Sequence, residues 1–264
     1  MLGSAASNQI GAAVGAHAFP VMGPGGVVAV RQIVAAAVLI PVARPDVRRF
    51  TWGQWWPVLL LGLVFATMNL SLYTAIDRIG LGLAVTLEFL GPLAVALAGS
   101  RTRRDLLCAA LAGAGVHILV SPGPASDFPG VGLGLLAAAC WAAYILLNRL
   151  AGRRLTGLQA PAVATSVSAL AYLPVLLTVE FEGLPYAVTA GLLSSVIPYA
   201  ADLVVLRRVP PRLFGVFMSV HPVMAALAGL TLLGQPLTVH QWTGILLVVT
   251  ANATAAGAAS TARS

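Results

Sequence analysis

The chain is a succession of apolar runs, each about as long as a bilayer is thick. A helix needs about 20 apolar residues to cross the hydrocarbon core. By that ruler ten runs stand out, at 3–21, 24–43, 55–76, 80–99, 105–121, 130–149, 158–179, 186–206, 211–233 and 239–258. Pro and Gly punctuate the joints, as in Gly23-Pro24-Gly25-Gly26, Ser121-Pro122-Gly123-Pro124 and Pro210-Pro211. The connections are short, and none is polar enough to form a separate soluble domain. Composition points the same way: charged residues are 9% of the 264, against about 25% in an ordinary soluble domain. Hydrophobic residues reach 59% and mean hydropathy is +0.92. The expected class is an all-α, multi-pass membrane protein with ten transmembrane helices.

The charges fix an orientation. All 15 basic residues are Arg. Clusters lie between runs 2 and 3 (Arg44, Arg48, Arg49), 4 and 5 (Arg101, Arg103, Arg104), 6 and 7 (Arg149, Arg153, Arg154) and 8 and 9 (Arg207, Arg208, Arg212). The alternate loops carry only Arg78, beside Asp77. This asymmetry places the clustered loops and both termini in the cytoplasm, which requires an even number of spans. The net charge of +7 is therefore a topology signal. No basic helix face is interleaved with aromatics, so nucleic acid is not an expected partner. The N-terminus has neither a basic n-region nor a clear cleavage site, so no removable signal peptide is expected.

Laying Pro92 on Pro222 brings Arg78 onto Arg208, Leu83 onto Leu213, and Ala96-Leu97-Ala98 onto Ala226-Leu227-Ala228. The match sets run 4 on run 9 and divides the chain at 1–125 and 126–264 into two repeats of five spans. An odd number of spans per repeat makes the repeats inverted. In that architecture a substrate site lies near the midplane, where the repeats meet.

Intramembrane ionisable groups mark pathways. Glu88 lies near the middle of run 4, with Ala84, Gly91 and Pro92 one turn away on the same face. Pro92 also leaves the carbonyl of Glu88 without its helical donor. Two readings are open for Glu88: it binds a substrate amine or a proton, or it pairs structurally with Arg31. Arg31, about seven residues into run 2, either meets a substrate carboxylate or snorkels to the headgroups. His17 and His221 are cavity-lining candidates or hydrogen-bonded packing residues. Trp141 and Tyr144, one turn apart in run 6, form an aromatic wall or pack in the core. Asp202 is expected to pair with Arg207 and Arg208, while Asn69, Asn148 and Asn252 suit interhelical hydrogen bonds. Cys108 and Cys140 read as small buried hydrophobes. There is no Walker loop, no HExxH, no paired Cys/His set and no Ser with plausible partners. Neither an enzyme, nor a metal site, nor a cofactor is expected.

Three stretches are distinctive: "LGLAVTLEFLGPLAVALAGSR" (Leu81–Arg101), "AAACWAAYIL" (Ala137–Leu146) and "RVPPRLFGVFMSVHPVMAALAGLTLLGQPLT" (Arg208–Thr238). With "GPGGVVAVRQ" around Arg31, they resemble the EamA family of the drug/metabolite transporter superfamily, and within it the threonine/homoserine exporter type. The likeness runs from about Ser4 to Ala253. It implies a bacterial inner-membrane exporter of amino acids or related small metabolites, with proton-motive force as driver. Glu88 and Arg31 match charged positions of that branch, and Asp202 keeps an acidic group. His221 and Gln235 stand where the branch carries Glu, and His17 where it carries Lys. The expected partners are a small-molecule substrate, the bilayer and, as an option, a second copy in a homodimer. The alternatives are a drug or cation efflux transporter of the same superfamily, and a non-transporting membrane enzyme or scaffold.

Overall fold

The computed structural model describes residues 2–98, 102–120, 127–198 and 219–261. Asp202 and the 8–9 arginine cluster lie outside them. Every regular element among the described residues is helical. Among the described residues, four apolar stretches are long enough to cross a membrane: Phe19–Ala43, Trp52–Ile79, Leu81–Ala98 and Phe128–Gly152. The first, second and fourth are the helices α2, α3 and α7; the third is α4 (Leu81–Glu88) followed by α5 (Leu90–Ala98). Around them stand α1 (Leu2–Ala16), α6 (Arg103–Val120), α8 (Gln159–Ala171), α9 (Leu173–Leu176), α10 (Leu184–Gly191), α11 (His221–Leu232) and α12 (Val239–Thr261).

The helix starts are written locally. Thr51 and Gln54 form a capping box at α3, with the Thr51 N–H donating to Gln54 Oε1 at 2.9 Å. Thr102 with Asp105 opens α6 in the same way, and Thr238 with Gln241 opens α12. Asp127 caps α7 by accepting from the Gly130 N–H at 2.8 Å, and it also pairs with Arg78 at 3.0 Å. That hydrogen bond, and then the Arg78 charge, hold the Asp127 carboxyl below the usual carboxylate range.

The first two runs divide earlier than their Pro/Gly punctuation suggests. The chain turns at His17–Ala18, and α2 already begins at Phe19. Gly23, at φ 66°, absorbs only a kink within α2. It does so because glycine reaches that region freely, while Pro24 is suited to restart the helix immediately after it.

Close crossings between helices rely on small residues, as expected where lipid supplies no hydrophobic drive between helices. Helix α6 lies against α12 at Gly115 and Gly244, where a methyl group on either would press into the facing carbonyl oxygen at 2.8 Å. Helix α5 meets α7 at Gly91, beneath the Ala138 carbonyl. The largest buried cluster joins α1, α2, α3, α4, α10 and α11, including Phe19, Tyr73, Ile76, Leu81 and Ala84. Large apolar side chains such as Leu63, Leu106, Leu146, Leu170 and Leu246 are more than half exposed on the outside of the helices, a surface suited to lipid.

Candidate functional site

One helix breaks and another begins beside the same cavity. Helix α4 ends at Glu88 and α5 restarts at Leu90, because Pro92 has no N–H to return to the Glu88 carbonyl. Helix α11 starts at His221, with Pro222 in its first turn. Between the α4–α5 break and the start of α11 lies a cavity of about 190 Å³ that also reaches α1, α2, α3 and α7. Arg31, Glu88, Trp141, Tyr144 and His221 all line it.

Arg31 is held by neutral groups. Its Nη1 donates to Asn69 Oδ1 at 2.9 Å, its Nε to Ser195 Oγ at 3.3 Å and its Nη2 to the Ser194 carbonyl at 3.4 Å. Its guanidinium carbon stands 5.2 Å from the centre of the Tyr73 ring. Asn69 is itself oriented by donating to the Phe65 carbonyl at 2.8 Å. Ser194 and Ser195 sit in a π-helical turn, Leu192–Val196. That turn is tied to α1 by Ser194 Oγ donating to the Asn8 carbonyl and Ser7 Oγ to the Leu193 carbonyl. A guanidinium has five N–H donors, so two remain unclaimed among the described residues. The group is fixed in direction yet keeps donors for an anion.

Glu88 is only 6% exposed, and among the described residues its carboxylate receives no hydrogen bond and joins no ion pair. Arg31 and Glu88 thus line one cavity without closing on each other. Next to Glu88, the Phe89 ring lies between Trp141 (centroids 4.6 Å apart, edge on) and His221 (5.4 Å, stacked). His221 Nδ1 is 3.2 Å from Gln9 Nε2, so the amide donates to the ring nitrogen. Tyr144 packs on Phe65 at 5.2 Å.

His17 stands apart from the cavity. It lies exposed at the α1–α2 turn, its Nδ1–H donating to the Ala13 carbonyl at 3.0 Å and its ring stacked on Tyr186. Among the described residues, no group of His, Cys, Asp and Glu has the makings of a metal site. Sequence reasoning passed over Gln9, Phe89, Ser194 and Ser195 as site residues. Hydropathy marks buried charge, and neutral polar residues at the same depth carry no comparable signal.

The profile of the EamA-like transporter family matches residues 128–254. The threonine/homoserine exporter RhtA of Escherichia coli K12 is 35% identical over 261 residues, covering 96% of this chain and 88% of the relative. RhtA of Salmonella typhimurium LT2 is 35% identical over 255 residues, covering 93% and 86%. One solved structure, described only as a crystal structure of a protein, superposes with a TM-score of 0.63 over 100% of this chain and 98% of its own. At 19% identity, that likeness concerns the fold alone.

Proposed function

Because the chain belongs to the EamA-like transporter family, we propose that it exports small zwitterionic amino acids of the threonine/homoserine kind across the bacterial inner membrane. The observation that carries this reading is the pair of unneutralised, opposite charges in one buried cavity. Among the described residues, two Arg31 N–H groups are unclaimed and open to a carboxylate, and Glu88 offers an acceptor to an ammonium. The relatives named threonine/homoserine exporters supply the substrate class.

The fold that supports this function is ten helices in two inverted five-helix repeats, 1–125 and 126–264, with both termini cytoplasmic. Supporting it are helical elements within each of the ten apolar runs, the interruption at Glu88–Leu90 beside Pro92, and the helix start at His221–Pro222. An antiparallel pair, α6 and α12, each opens with a capping box. Such interrupted helices are where transporters with inverted repeats bind their solutes.

The mechanism follows from the charges. A buried carboxylate without partners requires a cation. When substrate is bound, its ammonium meets Glu88 while its carboxylate meets Arg31; when substrate leaves, a proton takes its place on Glu88. The two occupants are mutually exclusive, so one proton enters for each amino acid that leaves. The Phe89–Trp141–His221 wall and Tyr144 bound the space left for the side chain.

The cavity, at about 190 Å³, is below the ~300–1,000 Å³ typical of sites for drug-sized ligands, and its fixed Arg31 repels cations. The test against drug efflux is resistance profiling of cells overproducing the protein. Tolerance should rise toward threonine, homoserine and their toxic analogues and stay unchanged toward cationic dyes. Dye tolerance without amino-acid tolerance would reverse the assignment.

A further inference from the structure

Past one end of the central cavity, α4 crosses α11. Gly82 lies directly over Ala226: a methyl group added to Gly82 would stand 3.0 Å from the Ala226 Cα. Ile76, Leu81, Ala84 and Ala225, all fully buried, fill the space around that crossing. Seven residues further along from Gly82, about 11 Å, and five residues back from Ala226, about 8 Å, the rings of Phe89 and His221 meet beside the cavity. The helices therefore touch backbone to backbone at one end and enclose the site at the other.

A single side chain ties this crossing. Gln235, just past α11, reaches across to α4, where its Oε1 accepts the Leu81 N–H at 2.9 Å. Its own N–H donates to the Gly229 carbonyl at 3.0 Å, which fixes the base of the side chain. The amide lies in a notch between two glycines. A Cβ on Gly80 or on Gly229 would come within 3.1 or 3.0 Å of its oxygen. Gly80, at φ 84°, also forms the one-residue corner between α3 and α4. Beyond the notch lies a second cavity of about 320 Å³, lined by Asp77, Arg78, Gly80, Gly229, Gln235 and Gln241. The two cavities thus line successive stretches of α4 and α11, with residues 83–84 and 222–225 between them, and among the described residues the Gln235–Leu81 bond is the one hydrogen bond tying Gln235 to α4.

We propose that Gln235 is the latch of the extracytoplasmic gate: its bond to the Leu81 N–H holds α4 against α11, and its release lets the central cavity open into the outer one. Gln235 is a positioning residue, acting on the path and not on the solute. The direction assigned to the gate rests on the export reading above. The mechanism needs an element that parts and re-forms without leaving a charge behind. A neutral amide does this, since water can replace it on both sides of the broken bond.

The test uses the full-length protein in intact cells, in a background with Cys108 and Cys140 replaced that exports at the parental rate. Val85, which lines the central cavity, is changed to Cys and exposed to a membrane-impermeant maleimide from outside. Gln235→Ala should speed labelling about three- to tenfold, the effect of losing one neutral hydrogen bond. Unchanged labelling overturns the latch. In a second variant, Leu81→Cys and Gly229→Cys place Cβ atoms about 3.5 Å apart, within disulfide range. Oxidation should reduce both labelling and export to below about a tenth, with recovery on reduction. Full export by a verified cross-linked protein also overturns it. Should that pair fail to insert, the Gln235→Ala labelling decides alone. Parental cells that move no amino acid would contradict the export reading, whereas normal export with unchanged labelling would contradict only the latch.

Discussion

At the scale of single residues, the site depends on keeping two charges close but unpaired. Arg31 is restrained by Asn69, Ser195 and the Ser194 carbonyl, which hold the guanidinium without cancelling its charge. Asn69→Ala should therefore raise the KM for threonine about tenfold, the loss expected for one charge-assisted hydrogen bond, while Asn69→Asp pairs with Arg31 and abolishes transport. Transport kinetics of the two variants, with membrane insertion checked, test this. A separate prediction concerns Asp127, outside the membrane. Its carboxyl is depressed by the Gly130 N–H and by Arg78, so its contribution to stability is complete above the ordinary aspartate range of about 4. That contribution fades as pH falls through the depressed value. The difference in unfolding temperature between the parent and Asp127→Ala in detergent should be constant near neutrality and vanish in strong acid. Five of the six residues singled out in the sequence line one cavity because buried charge and aromatic bulk are both conspicuous in an apolar run. His17 looks intramembrane by hydropathy alone, but the helix before it stops at Ala16, and no composition signal marks that stop.

At the scale of elements, interruption matters more than length. Run 4 reads as one continuous span in the sequence, yet it is two helices with Glu88 at the junction. The proline that causes the break was visible, and so was the carbonyl it frees. Hidden was the start of α11 at His221 beside the same cavity, because where a helix begins depends on packing from other elements. Pro92→Ala should join α4 and α5. We expect export to fall at least tenfold while thermal stability in detergent is kept or raised, since only a functional break is lost. Gly91→Ala acts differently. Its methyl group meets the Ala138 carbonyl on α7, forcing the helices apart. This overpacking should cost about 1–3 kcal/mol and appear as a lower unfolding temperature.

At the scale of the whole molecule, we propose two inverted halves enclosing a site for a zwitterion. The proposed orientation, with both termini cytoplasmic, rests on which loops carry arginine. A reporter fused after Ser264 should be active only in its cytoplasmic form. The pairing of α4 with α11, by contrast, was written only faintly, as a weak match around Pro92 and Pro222. In the proposed repeat register Glu88 aligns with Met218, so the two repeats would differ chemically there. The central claim is that Glu88 meets the ammonium or the proton within the transport cycle. Counterflow in proteoliposomes loaded with threonine, with and without a pH gradient, measures this for the parent and for Glu88→Gln. The parent should accumulate labelled threonine and respond to the gradient, while Glu88→Gln, folded and inserted, should lose at least about tenfold in rate together with the response to pH. Equal, gradient-driven uptake by both proteins would contradict the account.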